Sequence, residues 1–167
     1  MKKNHSKKIA AKGLMADSEG IHPKSDAAEE AIELINNSKA TCITVKNNEL
    51  ATVASAQGIA YLIDLYEKDM LKDVFLADKI IGKAAAIILT LGGVKSCYGY
   101  TVSESALNWL DKHNIPVTYK TTTPVIQNRK GDGMCPMEAT VKNIDNPEEA
   151  LVALKNKVAE LRNTLKV

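Results

Sequence analysis

The chain has 167 residues, of which 45% are hydrophobic and 25% charged, so it can form one domain with a sizeable core. A formal net charge of +2 and an aromatic content of 4% argue against nucleic acid as the main partner, because neither a strong positive field nor a row of stacking rings is available. No stretch approaches the roughly 18 apolar residues of a membrane-spanning helix, and the three cysteines lack zinc-ribbon or redox spacing, so we expect a cytoplasmic protein without a metal or cofactor.

The first 24 residues differ in charge from the rest of the chain. They hold six lysines and two acids and show no apolar periodicity. This composition predicts a flexible basic N-terminal tail. Residues 25–167 would then form a single folded domain with a mildly acidic balance.

The domain is predicted to begin with a helix and a β-hairpin. Ser25 or Asp26 can cap a helix that ends near Asn36, because acids follow in its opening turns and Ala and Ile recur on one face. A polar Asn-Asn pair then separates two short β-branched stretches, 41–45 and 50–53. Such a pattern is typical of a hairpin.

The stretch 73–93 predicts a strand, a polar turn and a buried helix. Residues 74–77 are apolar and bounded by acids, which suits a buried strand. Asp78 is a candidate N-cap. Residues 80–91 are rich in Ala, Ile and Leu until two glycines end the predicted helix.

Strands and helices alternate around this stretch. The other predicted elements are a helix that opens at 55–58 and runs to about Lys68, a strand at 95–102, a helix capped by Ser103, a strand at 115–119, a polar loop at 120–134 and a helix start at 135–138. Right-handed crossovers make the later strands parallel, with helices on both faces. The order therefore predicts an α/β fold, a three-layer α/β/α sandwich on a mixed five-stranded sheet.

The last predicted helix covers residues 147–166. Leu151, Leu154 and Val158 begin a repeat with three- and four-residue spacing, which forms an apolar seam of little more than two heptads. The seam has two interpretations. It packs on the chain's own sheet, or it joins two copies in a homodimer.

Two stretches carry a family resemblance. They read Ala-Asp-Lys-Ile-Ile-Gly-Lys-Ala-Ala-Ala at 77–86 and Asn-Arg-Lys-Gly-Asp-Gly-Met-Cys-Pro-Met-Glu at 128–138. The chain resembles an uncharacterised domain-of-unknown-function family with a cytidine-deaminase-like fold. The resemblance implies the deaminase-like sheet order, with the hairpin at one edge, and it brings no established activity.

Zinc deaminases hold their metal with a His or Cys that has a Glu two residues later, and with a Pro-Cys-x-x-Cys turn. These ligands lie at the starts of two successive helices. The corresponding turns here, 55–58 and 78–82, contain neither Cys nor His, and no histidine has a Glu two residues on. We therefore expect a deaminase-like scaffold without the zinc ligands.

The same two turns predict a site for an anion. Helix N-termini beyond the carboxyl ends of strands present free N–H groups that favour phosphate. The candidate ligand-binding residues are Ser55, Gly58, Asp78, Lys79, Gly82, Lys83, Asn128 and Arg129. The alternatives are that Gly82 only permits close packing, Asp78 is only a cap, and Lys83 and Arg129 are solvated.

Cys135 is the candidate for chemistry, because a thiol at a helix N-terminus tends towards the thiolate. It could act as a nucleophile, line a ligand pocket or pack structurally. Three hypotheses follow: a module that binds a nucleotide-type or other phosphorylated small molecule, a thiol-dependent enzyme, and a non-catalytic dimeric interaction module. The first hypothesis, a scaffold that keeps its pocket without the metal, requires the Gly82 turn and the Cys135 loop to lie on the same side of the molecule.

Overall fold

The computed structural model describes residues 25–55 and 58–165. The predicted basic tail, the middle of the turn at 55–58 and the last two residues lie outside these ranges. The elements, in chain order, are α1 Asp26–Asn36, β1 Cys42–Lys46, β2 Glu49–Ala54, α2 Ile59–Glu67, β3 Phe75–Ile81, α3 Lys83–Gly92, β4 Ser96–Ser103, α4 Glu104–Lys112, β5 Val117–Thr123, α5 Pro136–Val141 and α6 Pro147–Leu165. The predicted helix capped by Ser25 and the hairpin are confirmed.

The five strands form one mixed sheet in the order β2-β1-β3-β4-β5. The hairpin strands β1 and β2 are antiparallel, and β1 is also antiparallel to β3. Strands β3, β4 and β5 are parallel and joined by helices α3 and α4. The carboxyl ends of the three parallel strands therefore meet at one edge of the sheet, where α3, α4 and the loop after β5 begin.

Two apolar cores hold the layers together. The larger core joins one face of the sheet to α2, α3 and α4, and it includes fully buried side chains of Leu76, Ile87 and Leu110. The smaller core joins the other face to α1 through Ile35 and Phe75. Helices therefore cover both faces of the sheet, as the α/β prediction requires.

The prediction that Asp78 caps the central helix is wrong. Strand β3 continues through Ile81, and the helix begins one turn later, after Gly82. Asp78 lies between Cys42 of β1 and Gly99 of β4, so backbone partners on both sides extend the ladder past it. This tertiary pairing outweighs the local cap signal, and β-branched isoleucines suit the extended strand.

The fifth strand is also longer than predicted. Thr121, Thr122 and Thr123 fall in the predicted loop, but in the structure they pair with the end of β4. Threonine is β-branched and favours strands when a neighbour is available. The loop therefore starts at Pro124 rather than at Lys120.

The terminal helix α6 packs on other helices rather than on the sheet. Ala150 and Leu154 are buried, and the helix lies against α2, α3 and α5. Val152 remains exposed on its outer side. Homodimerisation through this helix stays a prediction. None of the helices in the described ranges has the length and apolar character needed to cross a bilayer.

Candidate functional site

The N-terminus of α3 is closed by a carboxylate from another helix. Glu138 lies in the first turn of α5, where Pro136 starts the helix. Its side chain accepts hydrogen bonds from the backbone N–H of Lys83, at 2.7 Å, and of Ala84, at 2.8 Å. Two of the free donors at the helix start are thus satisfied by an internal anion, which the helix dipole also favours. The Gly82 turn and the Cys135 loop therefore lie on the same side of the molecule.

Gly82 leaves the space that this contact needs. A Cβ atom at this position would overlap the carboxylate of Glu138. The φ angle of Gly82 is −98°, which any residue can adopt, so close approach rather than backbone freedom explains the glycine. The group that approaches Gly82 closely is thus a side chain of the same chain.

The side chain of Lys83 is held next to this contact. It is 12% exposed, and its Nζ lies 5.7 Å from the centre of the Trp109 ring, within cation–π range. The ammonium donates to the carbonyl of Lys142 at 3.3 Å and lies 3.7 Å from an Asp145 carboxylate oxygen. Lys83 is therefore neither freely solvated nor fully neutralised.

A pocket of about 380 Å³ opens beside Lys83. It lies at the carboxyl edge of β3, β4 and β5, between α4, α5 and the loop after β5. Its lining comprises three lysines, two carboxylates, two small polar side chains, one indole and an apolar wall: Lys83, Lys112, Lys142, Glu138, Asp145, Ser105, Asn108, Trp109, Pro124, Val125, Ile126 and Met134. Its volume falls in the range of small-molecule sites.

Trp109 lines this pocket and is held in place by two neighbours. Its Nε1–H donates to the hydroxyl of Thr90 at 3.0 Å. Its ring stacks on His113 with centroids 4.3 Å apart and planes 23° from parallel. A lysine beside an apolar wall suits an anionic ligand that also has an apolar part.

Of the predicted ligand-binding residues, only Lys83 lines this pocket. Ser55 is exposed after β2, and Gly58 is exposed at the start of α2 with a φ of 92°. The ammonium of Lys79 bonds the hydroxyl of Ser38, at the end of α1. A ligand role for these residues stays a prediction.

Asp78 belongs to a separate group of side chains on the sheet. Burial raises the pKa of its carboxyl to about 7, although hydrogen bonds from Ile80, Cys42 and Lys79 act in the opposite direction. Burial raises the pKa of the Cys42 thiol well above its ordinary value, and the nearby Asp78 carboxyl raises it further. The same two causes raise the pKa of the Cys97 thiol to about 12. Both thiols are therefore poor nucleophiles at neutral pH.

The predicted loop residues and Cys135 flank the pocket without lining it. The amide of Asn128 bonds Asp132 at 2.8 Å, which closes a turn within the loop, and Arg129 is exposed. Cys135 is partly buried and directly precedes α5, and its backbone N–H donates to the carbonyl of Ile126. A catalytic role for Cys135 stays a prediction.

Sequence reasoning missed most of the pocket. Trp109 and Lys112 lie on α4, Glu138 and Lys142 lie on and directly after α5, and no short motif joins the two helices. One signal was present, because Glu138 ends the second resemblance motif and Gly82 lies in the first. Within the described ranges, no group of three His, Cys, Asp or Glu side chains could hold a metal ion.

Comparison with known proteins identifies the family. No curated protein matches the chain. A crystal structure of a DUF1893 family protein from Thermotoga maritima, TM1506, has a TM-score of 0.74 and 20% sequence identity, covering 81% of this chain and 92% of that one. This similarity shows a shared fold. The family model of TM1506, domain of unknown function DUF1893, matches residues 30–158. The chain therefore belongs to the DUF1893 family.

Proposed function

We propose that this protein binds a phosphorylated, nucleotide-type small molecule in the pocket beside Lys83. The observation that carries the proposal is a cavity of about 380 Å³ with three lysines in its lining, at the carboxyl edge of three parallel strands. Ligands of open α/β sheets bind at this edge. The amines can bind phosphate, and the apolar wall on the loop side can bind a base or similar group.

The position of Lys83 supports a ligand role. It is the first residue of α3, where the helix dipole disfavours a positive charge. Its side chain is also largely removed from water. The carboxylate of Glu138 offsets part of this dipole, and a largely buried cation that lines a pocket suits an anionic ligand.

We also propose that the scaffold is deaminase-like without a zinc site. The strand order, with an antiparallel hairpin at one edge and three parallel strands, supports this relationship. The donor set does not fit zinc: Glu138 is engaged with the start of α3, and the adjacent Gly82 and Lys83 offer no ligand side chain. The three free cysteines are compatible with a reducing cytoplasm.

Fluorescence titration tests the binding proposal directly. Trp109 is the only tryptophan, so its emission reports on the pocket alone. We expect adenosine 5′-monophosphate (AMP) to change this emission in a saturable way, and adenosine to have a much weaker effect. Calorimetry on the same samples gives an independent dissociation constant.

Variants of the two exposed lysines make the test specific. Lys112→Ala and Lys142→Ala should each weaken AMP binding about three- to ten-fold, as expected for loss of a partly exposed charge contact. Lys95→Ala is the matched control, because this exposed lysine precedes β4 at the opposite edge of the sheet. Equal weakening by all three variants, or no binding by the unmodified protein, would contradict the proposal.

A further inference from the structure

The charges around the pocket favour one phosphate group over several. Three lysines and two carboxylates line it, so its formal charge is only one positive unit. Glu138 is 8% exposed and fixed by two backbone N–H groups. Asp145 is 84% exposed and lies at the mouth of the pocket on the connection between α5 and α6.

Asp145 is the exposed partner of a largely buried ammonium. The Nζ of Lys83 is held by the Trp109 ring and the Lys142 carbonyl. An ammonium has three donors, and the carboxylate of Asp145 lies 3.7 Å away, longer than a direct hydrogen bond. Because Asp145 is largely in water and makes no direct hydrogen bond to the ammonium, this ion pair contributes little stability and can be exchanged at small cost.

We propose that Asp145 is a counterion which the phosphate of a monophosphate ester displaces from Lys83. This inference rests on the proposed function and names the ligand class. With Asp145 turned into solvent, the remaining lining carries two positive charges, which match the dianionic form of one phosphate monoester. A triphosphate would bring excess negative charge close to the fixed carboxylate of Glu138.

The organic part of such an ester has a defined place. Pro124, Val125, Ile126 and Met134 form the apolar wall on the loop side of the pocket. Ser105 and Asn108 lie one helical turn apart on α4 and offer a hydroxyl and an amide to polar atoms of the ligand. The pocket thus suits a phosphate monoester with a ring or short chain, rather than inorganic phosphate alone.

Calorimetric titration of the full chain with AMP, ATP, adenosine and inorganic phosphate tests the proposal. We expect AMP to bind more tightly than the other three probes. Asp145→Asn should tighten AMP binding about two- to five-fold at low salt, and the gain should shrink at high salt because screening weakens the competing ion pair. Asp69→Asn removes one negative charge from an exposed turn before β3 and should leave AMP affinity unchanged.

The outcomes separate this inference from the proposed function. If AMP binds and Lys142→Ala weakens it, but Asp145→Asn has no effect or weakens binding, the counterion role is wrong and the binding function stands. If ATP binds more tightly than AMP, the single-phosphate class is wrong. If none of the probes binds either the unmodified protein or Asp145→Asn, both proposals are overturned.

Discussion

The carboxylate of Glu138 accepts hydrogen bonds from the backbone of Lys83 and Ala84, 55 and 54 residues earlier in the chain. Helix α5 therefore supplies the anion at the start of α3. Gly82 permits the contact, because any larger residue would overlap the same carboxylate. The two sequence stretches that identify the family thus meet in one structural interaction, and this interaction also fixes one wall of the pocket.

Gly82→Ala should destabilise the protein by about 2–4 kcal/mol, because the new methyl group overlaps a buried carboxylate. Glu138→Ala should cost a similar amount, because it leaves two N–H groups at the start of α3 without their acceptor. Urea denaturation followed by circular dichroism measures both losses.

The double variant, Gly82→Ala with Glu138→Ala, provides the control for this prediction. Once Glu138 is shortened, the carboxylate that the new methyl group overlaps is gone, so the combined loss should be smaller than the sum of the single losses by at least about 1 kcal/mol. Additive losses would show that Gly82 matters for a reason other than room for this carboxylate.

Most elements could be predicted from the sequence, because their signals are local. Ser25 and Ser103 cap helices through their own side chains, and Gly93 ends α3 in the left-handed conformation. The predicted boundary between strand and helix at Asp78 is wrong, because pairing with strands from distant parts of the chain extends β3 past this residue. Asp78 followed by a helix-rich run gives the same local pattern whether it caps a helix or continues a strand.

The site was predictable only in part. Lys83 lies at the carboxyl edge of the sheet, as expected, but its neighbours Trp109 and Asp145 come 26 and 62 positions later in the chain. Residues that lie so far apart in the chain form no recognisable motif in the sequence. The sequence predicts a phosphate at the start of α3, but the carboxylate of Glu138 occupies that position. Only the packing of α5 against α3 shows this.

Asp78→Asn should change how stability depends on pH. The pKa of the Asp78 carboxyl is about 7 in the folded protein, against 3.8 ordinarily, because burial disfavours the charged form. Between about pH 4 and pH 7 the folded state therefore holds a proton that the unfolded state has released. The contribution of Asp78 to the free energy of unfolding should therefore fall as pH rises through this window.

Asparagine keeps the acceptor for the Ile80 N–H but cannot titrate. The stability of Asp78→Asn relative to the unmodified protein should therefore rise between pH 4 and pH 7, by on the order of 2 kcal/mol after allowance for partial exposure of the carboxyl. Urea midpoints at several pH values measure the difference. Asp69→Asn, in an exposed turn, is the control. A constant difference across the window would show that Asp78 is ionised throughout.

Alkylation should distinguish Cys135 from the other two thiols. Cys42 and Cys97 are buried, and burial raises the pKa of both, so they should react very slowly in the folded protein. Cys135 is partly exposed. Iodoacetamide at pH 8 should add one group, located at Cys135 by mass spectrometry, and Cys135→Ser should abolish this addition. Rapid labelling of all three thiols below the denaturation midpoint would indicate local opening of the sheet.

Lys83→Met should preserve the fold better than Lys83→Ala. The side chain of Lys83 is largely buried beside Trp109, and methionine fills a similar apolar volume while removing the charge. Loss of the charge should cost little, because the ammonium is largely desolvated and lies at the unfavourable end of the α3 dipole.

We therefore expect a change in the free energy of unfolding of less than about 1 kcal/mol for Lys83→Met and a loss of about 1–2 kcal/mol for Lys83→Ala. Urea denaturation gives both values, and Lys95→Met reports the effect of the same substitution on an exposed lysine far from the pocket. AMP binding should be lost in both Lys83 variants, because each removes the ammonium. Should methionine prove as destabilising as alanine, the contacts of the ammonium with Lys142 and Asp145 would be holding the fold. Lys83 would then be a structural residue first, and the case for a ligand at this pocket would rest on Lys112 and Lys142 alone.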